Sequence, residues 1–267
     1  MQLREKIAVA GGTGRVGRHV VDVLEERGHE VVPISRSLGV DVVTGEGLAE
    51  ALAGVTTVID AATGPSPDQQ SATAFFTASA RNLQRLGEQA GVRRIVVVSI
   101  IGIDRFSAGY YAAKQTQEAK LLAGPIPARI LRAAQFHEFV AELVDWGRQD
   151  EVTYVLPLRT QLVAARTVAE ALGDLATAPD SAHAGAPIPE IAGPRAESLV
   201  EMARLLVARR GDAVRIEAAI DPADPDRELY ETGALLPGPH ATLAGPTFAE
   251  WLESEVPAVP NAGVRSS

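Results

Sequence analysis

Three side chains in the middle of the sequence have the types and spacing that proton transfer needs. Ser99 closes an apolar run, and Tyr110 and Lys114 follow four residues apart. Residues at that spacing lie on one face of a helix, and an ammonium beside a phenol lowers the pKa of the phenol. Tyr110 is therefore predicted to exchange a proton with a carbonyl or an alcohol, with Lys114 beside it and Ser99 orienting the same oxygen. The alternative is that Tyr110 and Lys114 are ordinary exposed residues of an amphipathic helix.

A glycine-rich turn near the N-terminus predicts a nucleotide site. The apolar run 7–10 leads directly into this turn, and an apolar helical face follows it. A buried strand that ends in closely spaced glycines and continues as a helix lets the backbone and the positive helix end approach a pyrophosphate. The alternative is a glycine-rich turn without a ligand. The predicted cofactor contacts in this loop are Gly11, Gly12, Thr13, Gly14, Arg15, Val16 and Gly17.

The residues at the end of the second predicted strand indicate which dinucleotide is bound. An NAD-type site places Asp or Glu there for the ribose hydroxyl, whereas this chain has Ser35, Arg36 and Ser37. A guanidinium and a hydroxyl suit a 2′-phosphate, so Arg36 and Ser37 favour NADP(H) over NAD(H). Arg15 is a possible second cation, or else a solvated surface arginine.

Further contacts follow from where each predicted strand ends. Asp41 is expected to accept from the adenine amine while Val42 covers the ring. Ser99 and Lys114 are also predicted cofactor contacts, as are Gln135 and Phe136, because the carboxyl ends of parallel strands face the cleft of a doubly wound sheet. The small-residue loop beside the cofactor ribose is Ala61, Ala62 and Thr63, for which plain packing is an equal explanation.

Apolar, β-branched runs alternate with helical patterns through the first half, which predicts an α/β fold: a Rossmann-like doubly wound parallel sheet. The predicted strands are 7–10, 30–35, 57–61, 94–100 and 128–133, and the predicted helices are 15–27, 46–53, 71–90, 110–123 and 136–149. The stripe of the third helix, which includes Phe75 and Phe76, is expected to be core and not a ligand cage.

Pro33 interrupts the second strand, because proline lacks the N–H that a central strand would donate. We interpret it as a sign of a nearby edge, with 40–43 as a very short third strand. Beyond residue 150 prolines accumulate between short elements, which predicts a small α+β C-terminal lobe over the substrate. The predicted organisation is an NADP(H)-binding Rossmann domain over 1–150, a substrate or lid lobe over 151–255 partly interleaved with the sheet, and a loosely held tail over 256–267. The lobe is expected to hold helices at 167–176, 196–209, 226–235 and 246–254 and strands at 152–156, 161–165, 188–192 and 213–218.

Composition excludes several classes of function. The formal net charge of -9 argues against a general affinity for nucleic acid or for an anionic membrane. The chain has no cysteine, which removes disulfides and thiolate sites and leads us to expect a cytoplasmic protein. The five histidines have no paired metal-ligand spacing, so no metal is predicted. The first apolar run is too short for a signal peptide or a membrane span.

These motifs together resemble the atypical short-chain dehydrogenase/reductases, and within them the NmrA-like NAD(P)-binding group. The resemblance rests on the glycine loop, on Ser35-Arg36-Ser37, on Val96 to Ser99 with Tyr110 and Lys114, and most specifically on the run from Ile130 to Phe139. It implies a Rossmann-like NADP(H) domain whose small C-terminal lobe closes over a substrate at the nicotinamide. The group contains reductases and isomerases beside members that bind the cofactor only as redox sensors.

Three departures from the family pattern stand out. Ser99 precedes Tyr110 by eleven residues, which is closer than in typical members, and the third strand is trimmed. Thr167 stands where such chains often carry Asp at a helix start, and it is expected to cap that helix without an ionic contact.

The leading hypothesis is an NADP(H)-dependent oxidoreductase that moves hydride to or from a small carbonyl, enone or quinone-like substrate, as a monomer or small homo-oligomer. Tyr110 donates the proton, Lys114 holds the nicotinamide ribose, and Ser99 orients the substrate oxygen. The alternative is a non-catalytic NADP(H)-binding regulator that reports redox state to a protein partner. An isomerase or a flavin-type reductase would keep the same fold and change only the pocket.

Overall fold

The computed structural model describes residues 4–179 and 186–256, in which a parallel sheet forms the centre of the fold. Seven strands pair in the order β12-β9-β5-β4-β3-β1-β2, and every pairing in this sheet is parallel. These strands are β1 (Lys6–Ala10), β2 (Glu30–Ile34), β3 (Thr57–Asp60), β4 (Arg94–Ile100), β5 (Ala128–Ala133), β9 (Glu190–Ala192) and β12 (Thr242–Leu243). The predicted Rossmann-like α/β class is therefore confirmed.

Helices cover both faces of the sheet and explain its apolar strands. They are α1 (Gly17–Glu26), α2 (Leu48–Ala51), α3 (Gln69–Ala90), α4 (Gly109–Leu122), α5 (Phe139–Trp146), α6 (Ala165–Thr177), α7 (Leu199–Arg210), α8 (Arg227–Glu231) and α9 (Phe248–Glu255). One core packs α1 and α6 against the sheet, and a second packs α2, α3 and α4 on the opposite face. Strands that are covered on both sides read as continuous apolar runs, as the sequence of β1 does.

The second half of the chain builds its own core and also completes the central sheet. Small sheets form from β6 (Arg148–Gln149), β7 (Val152–Val155) and β11 (Arg215–Ala218), and from β8 (Arg159–Thr160) with β10 (Glu197–Ser198). Helices α5, α7 and α9 pack on these elements around a separate apolar cluster. Because β9 and β12 lie in the second half of the chain and pair in the large sheet, the chain passes between the lobe and the sheet more than once. The predicted tail lies outside the described residues apart from its first residue.

Several element predictions need correction. No strand forms at 40–43; a loop lies there, after a short 3-10 turn at Arg36–Leu38. Among the described residues β2 pairs only with β1. Pro33 is therefore tolerated because it stands on the edge strand of the sheet, not beside a trimmed neighbour. The strand expected at 161–165 is replaced by β8 and by one bridge between Phe136 and Val163. Its last residue already begins α6.

Candidate dinucleotide site

A cleft of about 470 Å³ lies at the carboxyl ends of β1 to β4. This is the crevice in which open α/β sheets bind their ligands. Thirteen of the predicted cofactor contacts line it: Gly11, Thr13, Gly14, Arg15, Val16, Arg36, Ser37, Asp41, Val42, Ala61, Ala62, Thr63 and Phe136. The lining residues that sequence reasoning did not select as contacts are Ile34, Ser35, Val40, Phe75, Val98 and Glu142.

Two glycines of the loop, Gly12 and Gly17, do not line the cleft but allow the close packing of the loop backbone. Gly11 has a φ of +76°, and a Cβ there would lie 2.8 Å from the carbonyl oxygen of Ala61. A Cβ on Gly17 would lie 2.0 Å from the carbonyl oxygen of Gly11, and one on Gly12 would lie 2.8 Å from Cβ of Pro33. Gly12 and Gly17 are therefore needed for the fold of the loop, whereas Gly14 lines the cleft.

The loop presents free hydrogen-bond donors at the start of α1. Within residues 4–179 and 186–256, the backbone N–H groups of Thr13, Arg15 and Val16 make no hydrogen bond. The N-cap residue of α1, Val16, supplies no side-chain cap. Unpaired N–H groups at a helix N-terminus, where the helix dipole is positive, form a site that fits a pyrophosphate.

One end of the cleft has the groups expected around an adenosine. Arg36 and Ser37 are exposed there, and Arg36 has no ion pair or side-chain hydrogen bond to any of the described residues. Asp41 accepts from the backbone N–H of Val43 at 2.6 Å, which fixes its carboxylate at the cleft wall. Asn82 on α3 donates to the carbonyl oxygens of Val42 and Val43, at 3.0 and 2.7 Å, and so ties this loop to the core.

Tyr110 lies in the first turn of α4 and does not line the cleft. Its ring meets that of Phe76 edge to face, with centroids 5.7 Å apart. Burial, opposed by Arg15 and aided by the Asp60 carboxylate, raises the pKa of Tyr110 to about 12. The expectation that Lys114 lowers the pKa of this phenol is wrong, because burial dominates and the cation that acts on the phenol is Arg15.

Lys114 points into the protein and does not line the cleft. Its Nζ donates to the carbonyl oxygen of Val98 at 2.8 Å and to Oε1 of Gln117 at 2.5 Å. It also stands over the ring of Phe76, 4.8 Å from the centroid. Burial lowers the pKa of Lys114 to about 8, against the attraction of Asp60 and Glu118.

Ser99 lies on the wrong face of β4 for the role predicted from sequence. Val98 lines the cleft, and successive side chains of a strand point to opposite faces. Ser99 is 2% exposed and its Oγ has no hydrogen-bond partner among the described residues. Its neighbour across the sheet is Arg132 on β5, which faces α4. The structure therefore does not place Ser99 where it can orient a substrate oxygen.

The glycine loop and α5 meet across the cleft through an ion pair. The guanidinium of Arg15 contacts the carboxylate of Glu142 and lies 5.5 Å from the ring centroid of Phe139. Burial lowers the pKa of Arg15, with Glu138 opposing the change. Glu142 has no sequence signal as a cleft residue, because α5 reaches the loop only through the tertiary fold. Phe75, expected to be core, lines the cleft instead.

After β5, the run 135–139 divides between the cleft and the lobe. Phe136 lines the cleft, whereas Gln135 does not. Oε1 of Gln135 accepts from the hydroxyl of Thr160, and its Nε2 is buried without a partner among the described residues. Glu138 accepts from the backbone N–H of Ala165 through both carboxylate oxygens, at 3.1 Å each. Glu138 thus caps α6, and the expected cap Thr167 lies inside the helix.

His137 holds the lobe against the sheet. It is fully buried, its Nε2 lies 3.0 Å from the carbonyl oxygen of Pro246, and its ring packs on Phe248 and Trp251 with centroids 5.5 Å away. Burial lowers the pKa of His137 to about 4. This position agrees with the interpretation that His137 is a structural residue at a helix start and not a ligand.

The buried His137 should make stability depend on pH. The folded state binds this proton less readily than the unfolded chain, where the pKa is about 6.5, so stability is lost as pH falls from about 6.5 to about 4. We expect the His137 contribution to fall by about 2 kcal/mol between about pH 7 and about pH 5. Urea unfolding at both pH values should show His137→Gln with a smaller loss than the wild type, whereas His240→Gln, at an exposed position, should match the wild type. Equal losses in all three proteins would contradict this assignment.

In the described part of the chain, no group of three or more His, Asp or Glu side chains is arranged to hold a metal ion. No helix there is both long and apolar enough to cross a membrane.

The fold and the cleft together define a Rossmann-type dinucleotide-binding protein. Residues 11–179, more than half of the chain, match a family described as NAD(P)H-binding. The chain therefore belongs to this NAD(P)H-binding family. The narrower NmrA-like assignment stays a prediction.

Two curated relatives match about a third of the chain. The chain is 33% identical over 110 residues to the photosystem II assembly factor Ycf39 of Synechocystis sp., which covers 36% of this chain and 34% of the relative. It is 32% identical over 112 residues to a 3-beta-hydroxysteroid dehydrogenase of Mycolicibacterium neoaurum, covering 34% of this chain and 31% of the relative. The matched region thus spans about a third of the length of each relative.

A solved structure extends the similarity of fold over nearly the whole chain. A short-chain dehydrogenase/reductase superfamily protein from Agrobacterium tumefaciens with bound NAD superposes with a TM-score of 0.63 at 18% sequence identity. The superposition covers 93% of this chain and 95% of that one. At this identity the match supports the fold alone.

Proposed function

We propose that this protein is an NADP(H)-dependent oxidoreductase that acts on a small carbonyl, enone or quinone-like substrate. The single observation that carries the proposal is the cleft itself. Among residues 4–179 and 186–256 it joins unpaired N–H groups at α1, a guanidinium without an ion pair at one end, and apolar residues. The residues fit a dinucleotide. When bound, NADPH supplies the hydride, and the protein supplies geometry and electrostatics. One relative is named a dehydrogenase, which is consistent with this proposal.

The preference for NADP(H) is supported by Arg36. This guanidinium is exposed at the cleft edge, where a 2′-phosphate of the adenosine would meet it, and Ser37 beside it adds a hydroxyl. A charge-assisted pair of this kind is worth roughly 1.5–3 kcal/mol, which is a ten- to hundredfold change in affinity.

Arg36→Ala should therefore weaken NADPH binding about tenfold to a hundredfold and change NADH binding less than about threefold. Fluorescence titration of each nucleotide measures both constants. Arg85→Ala, at an exposed position on α3, is the matched control and should bind both nucleotides as the wild type does. Equal losses for NADPH and NADH would contradict the 2′-phosphate contact.

Tyr110 is the proposed proton donor, because Arg15, a cleft residue, acts on its phenol, although the Tyr110 ring does not itself line the cleft. Because burial keeps its pKa well above neutral, the phenol stays protonated at neutral pH and so carries a proton that it can give to an oxygen that gains charge. The bound cofactor would supply the hydride to the carbonyl carbon and leave as NADP+. Tyr110 would give the proton of its Oη to the carbonyl oxygen, so that an alcohol results. Solvent then restores the phenol proton.

Tyr110→Phe should lower kcat about a hundredfold or more and leave the Kd for NADPH within about twofold, because general acid catalysis contributes ~10²–10⁴ to rate. NADPH oxidation measured across a panel of small aldehydes, enones and quinones provides the test. Tyr154→Phe, at an exposed position of β7, is the control and should retain full activity. Unchanged turnover in Tyr110→Phe would remove Tyr110 from the mechanism.

A non-catalytic NADP(H)-binding regulator is the second candidate. Two observations favour it: Lys114 is bound to groups inside the protein, and Ser99 faces away from the cleft. One relative is named an assembly factor, which is a role in building a protein complex. Tight NADPH binding with no turnover of any substrate in the panel would favour this candidate.

A further inference from the structure

A buried polar chain runs behind the cleft from β3 to α4. Asp60 ends β3 and is 1% exposed; Lys114 and Gln117 lie one turn apart on α4 and are 5% and 1% exposed. Nε2 of Gln117 donates to Oδ2 of Asp60 at 2.9 Å, and its Oε1 accepts from Nζ of Lys114. The amide of Gln117 thus bridges a buried carboxylate and a buried ammonium, with each of its polar atoms used once.

Both ends of this polar chain attach to walls of the cleft. Oδ1 of Asp60 accepts from the backbone N–H of Ala62 at 3.1 Å, and Nζ of Lys114 donates to the carbonyl oxygen of Val98 at 2.8 Å. Ala62 and Val98 both line the cleft. The polar chain therefore ties the loop after β3 to the end of β4 across the sheet.

The ammonium of Lys114 has its hydrogens engaged within the protein. Two donate to Val98 and Gln117, and the face of the Phe76 ring takes the third direction at 4.8 Å. A buried ammonium is retained only where such partners and a counter-charge offset its lost hydration. Tyr110 lies one helical turn earlier and is not a partner.

The charged groups that face Lys114 come from several elements. Asp60 on β3 and Glu118 on α4 are the anions that act on it. Glu118 in turn is bound by Arg132 on β5, which also holds Asp104. Asp60 is thus the carboxylate linked to Lys114 without a guanidinium between them. Burial raises the pKa of Asp60 and lowers that of Lys114, and the attraction between the carboxylate and the ammonium opposes both shifts, so each charge favours the other.

We propose that Asp60, acting through Gln117, is a positioning residue that holds Lys114 as a buried structural cation, so that Asp60 fixes the Ala62 wall of the cleft, Lys114 fixes the Val98 wall, and Lys114 does not act on the phenol of Tyr110. The inference rests on the proposed function only for the nature of the ligand. The sequence alone does not indicate this positioning role of Asp60 and Gln117. In this chain the four-residue spacing of Tyr110 and Lys114 does not indicate that the ammonium acts on the phenol.

Two readouts test this assignment in the full chain. The first is the Kd for NADPH as a function of pH. The second is the ultraviolet titration of Tyr110, taken as the difference between each protein and its Tyr110→Phe counterpart, which needs no nucleotide. The variants are Lys114→Met and Asp60→Asn, and the matched control is Lys120→Met, at an exposed lysine of the same helix.

Lys114→Met should weaken NADPH binding about tenfold and leave the Tyr110 titration within about 0.3 pH units of the wild type, because the ammonium supports the walls and not the phenol. Wild-type affinity should decline above about pH 8 as Lys114 loses its proton. In Asp60→Asn this decline should begin at least about one pH unit lower, since the carboxylate that favours the charged ammonium is gone. Lys120→Met should match the wild type in both readouts.

A rise of about one unit or more in the Tyr110 titration of Lys114→Met, with NADPH affinity intact, would overturn the proposal. If Lys114→Met does not fold, Gln117→Met removes only the bridge and should shift the pH decline in the same direction; an unshifted decline would also overturn it. If the wild type binds neither NADPH nor NADH, the proposed function fails, and the Tyr110 titration still decides whether Lys114 acts on the phenol.

Discussion

Replacement of Gly17 by alanine should destabilise the protein by roughly 3 kcal/mol and abolish NADPH binding. The added Cβ would lie 2.0 Å from the carbonyl oxygen of Gly11, 2.6 Å from its carbonyl carbon and 3.0 Å from Cα of Gly12. All three atoms belong to the backbone, so no side chain can rotate away. The loop must move, and the unpaired N–H groups of Thr13, Arg15 and Val16 move with it.

Gly14→Ala provides the matched control in the same loop. A Cβ there would lie 3.1 Å from the Gly11 carbonyl oxygen, a tight contact that a shift of a few tenths of an ångström relieves. Because Gly14 lines the cleft, its methyl group would stand where the ligand approaches. We expect the free energy of unfolding of Gly14→Ala to lie within about 1 kcal/mol of the wild-type value. Its binding of NADPH should be at least about tenfold weaker.

Urea unfolding and NADPH titration of the two variants separate loop packing from ligand approach. Gly17→Ala should lower both the free energy of unfolding and the affinity for NADPH, whereas Gly14→Ala should lower only the affinity. Wild-type stability in Gly17→Ala would mean that the loop does not have the close packing described here.

Local patterns explain why the first half of the fold could be predicted. Strands of a sheet that is covered on both faces read as apolar runs, and the predicted 94–100 and 128–133 match β4 and β5. The edge position of β2 could not be seen in the same way. Pro33 indicated an edge. The absence of a strand at 40–43, however, depends on how the loop of Asp41 packs on Asn82, which lies about 40 residues further along the chain.

The cofactor side of the site was easier to predict than the catalytic side. A glycine loop and a strand-end arginine have meaning in short stretches of sequence, because the ligand contacts backbone and adjacent side chains. Ser99 shows the opposite case: strand alternation alone sends its side chain away from the face of Val98, and a register error of one residue exchanges the two faces.

The orientation of the Lys114 side chain could not be predicted for a different reason. The four-residue spacing correctly places it on the same helix as Tyr110, but the direction of its side chain is set by acceptors from other elements. Those acceptors are the Val98 carbonyl, 16 residues away, and, through Gln117, Asp60, which lies 57 residues from Gln117. Helical periodicity carries no information about such partners.

Replacement of Arg132 by methionine should cost about 3–5 kcal/mol, because it leaves a charge buried without its partner. Arg132 on β5 is 9% exposed and binds Glu118 through Nε and Nη2, at 3.1 and 2.7 Å, and Asp104 through Nη1 and Nη2, at 2.5 and 2.9 Å. Asp104 can return to water, since its side chain is 67% exposed, whereas the Glu118 side chain is 8% exposed and cannot. The loss should therefore come from Glu118, on the helix that carries Tyr110 and Lys114.

The double variant Arg132→Met/Glu118→Leu should recover most of that lost stability. Two apolar side chains can fill the site without the desolvation penalty that one unpaired carboxylate incurs there. Urea unfolding of both variants measures the effect. Arg204→Met is the control, since Arg204 pairs with Glu201 on an exposed face of α7 and such pairs contribute less than about 1 kcal/mol. A double variant less stable than Arg132→Met would show instead that Glu118 keeps its charge satisfied by Lys114, which would place Lys114 in this ion cluster and weaken its assignment to Asp60.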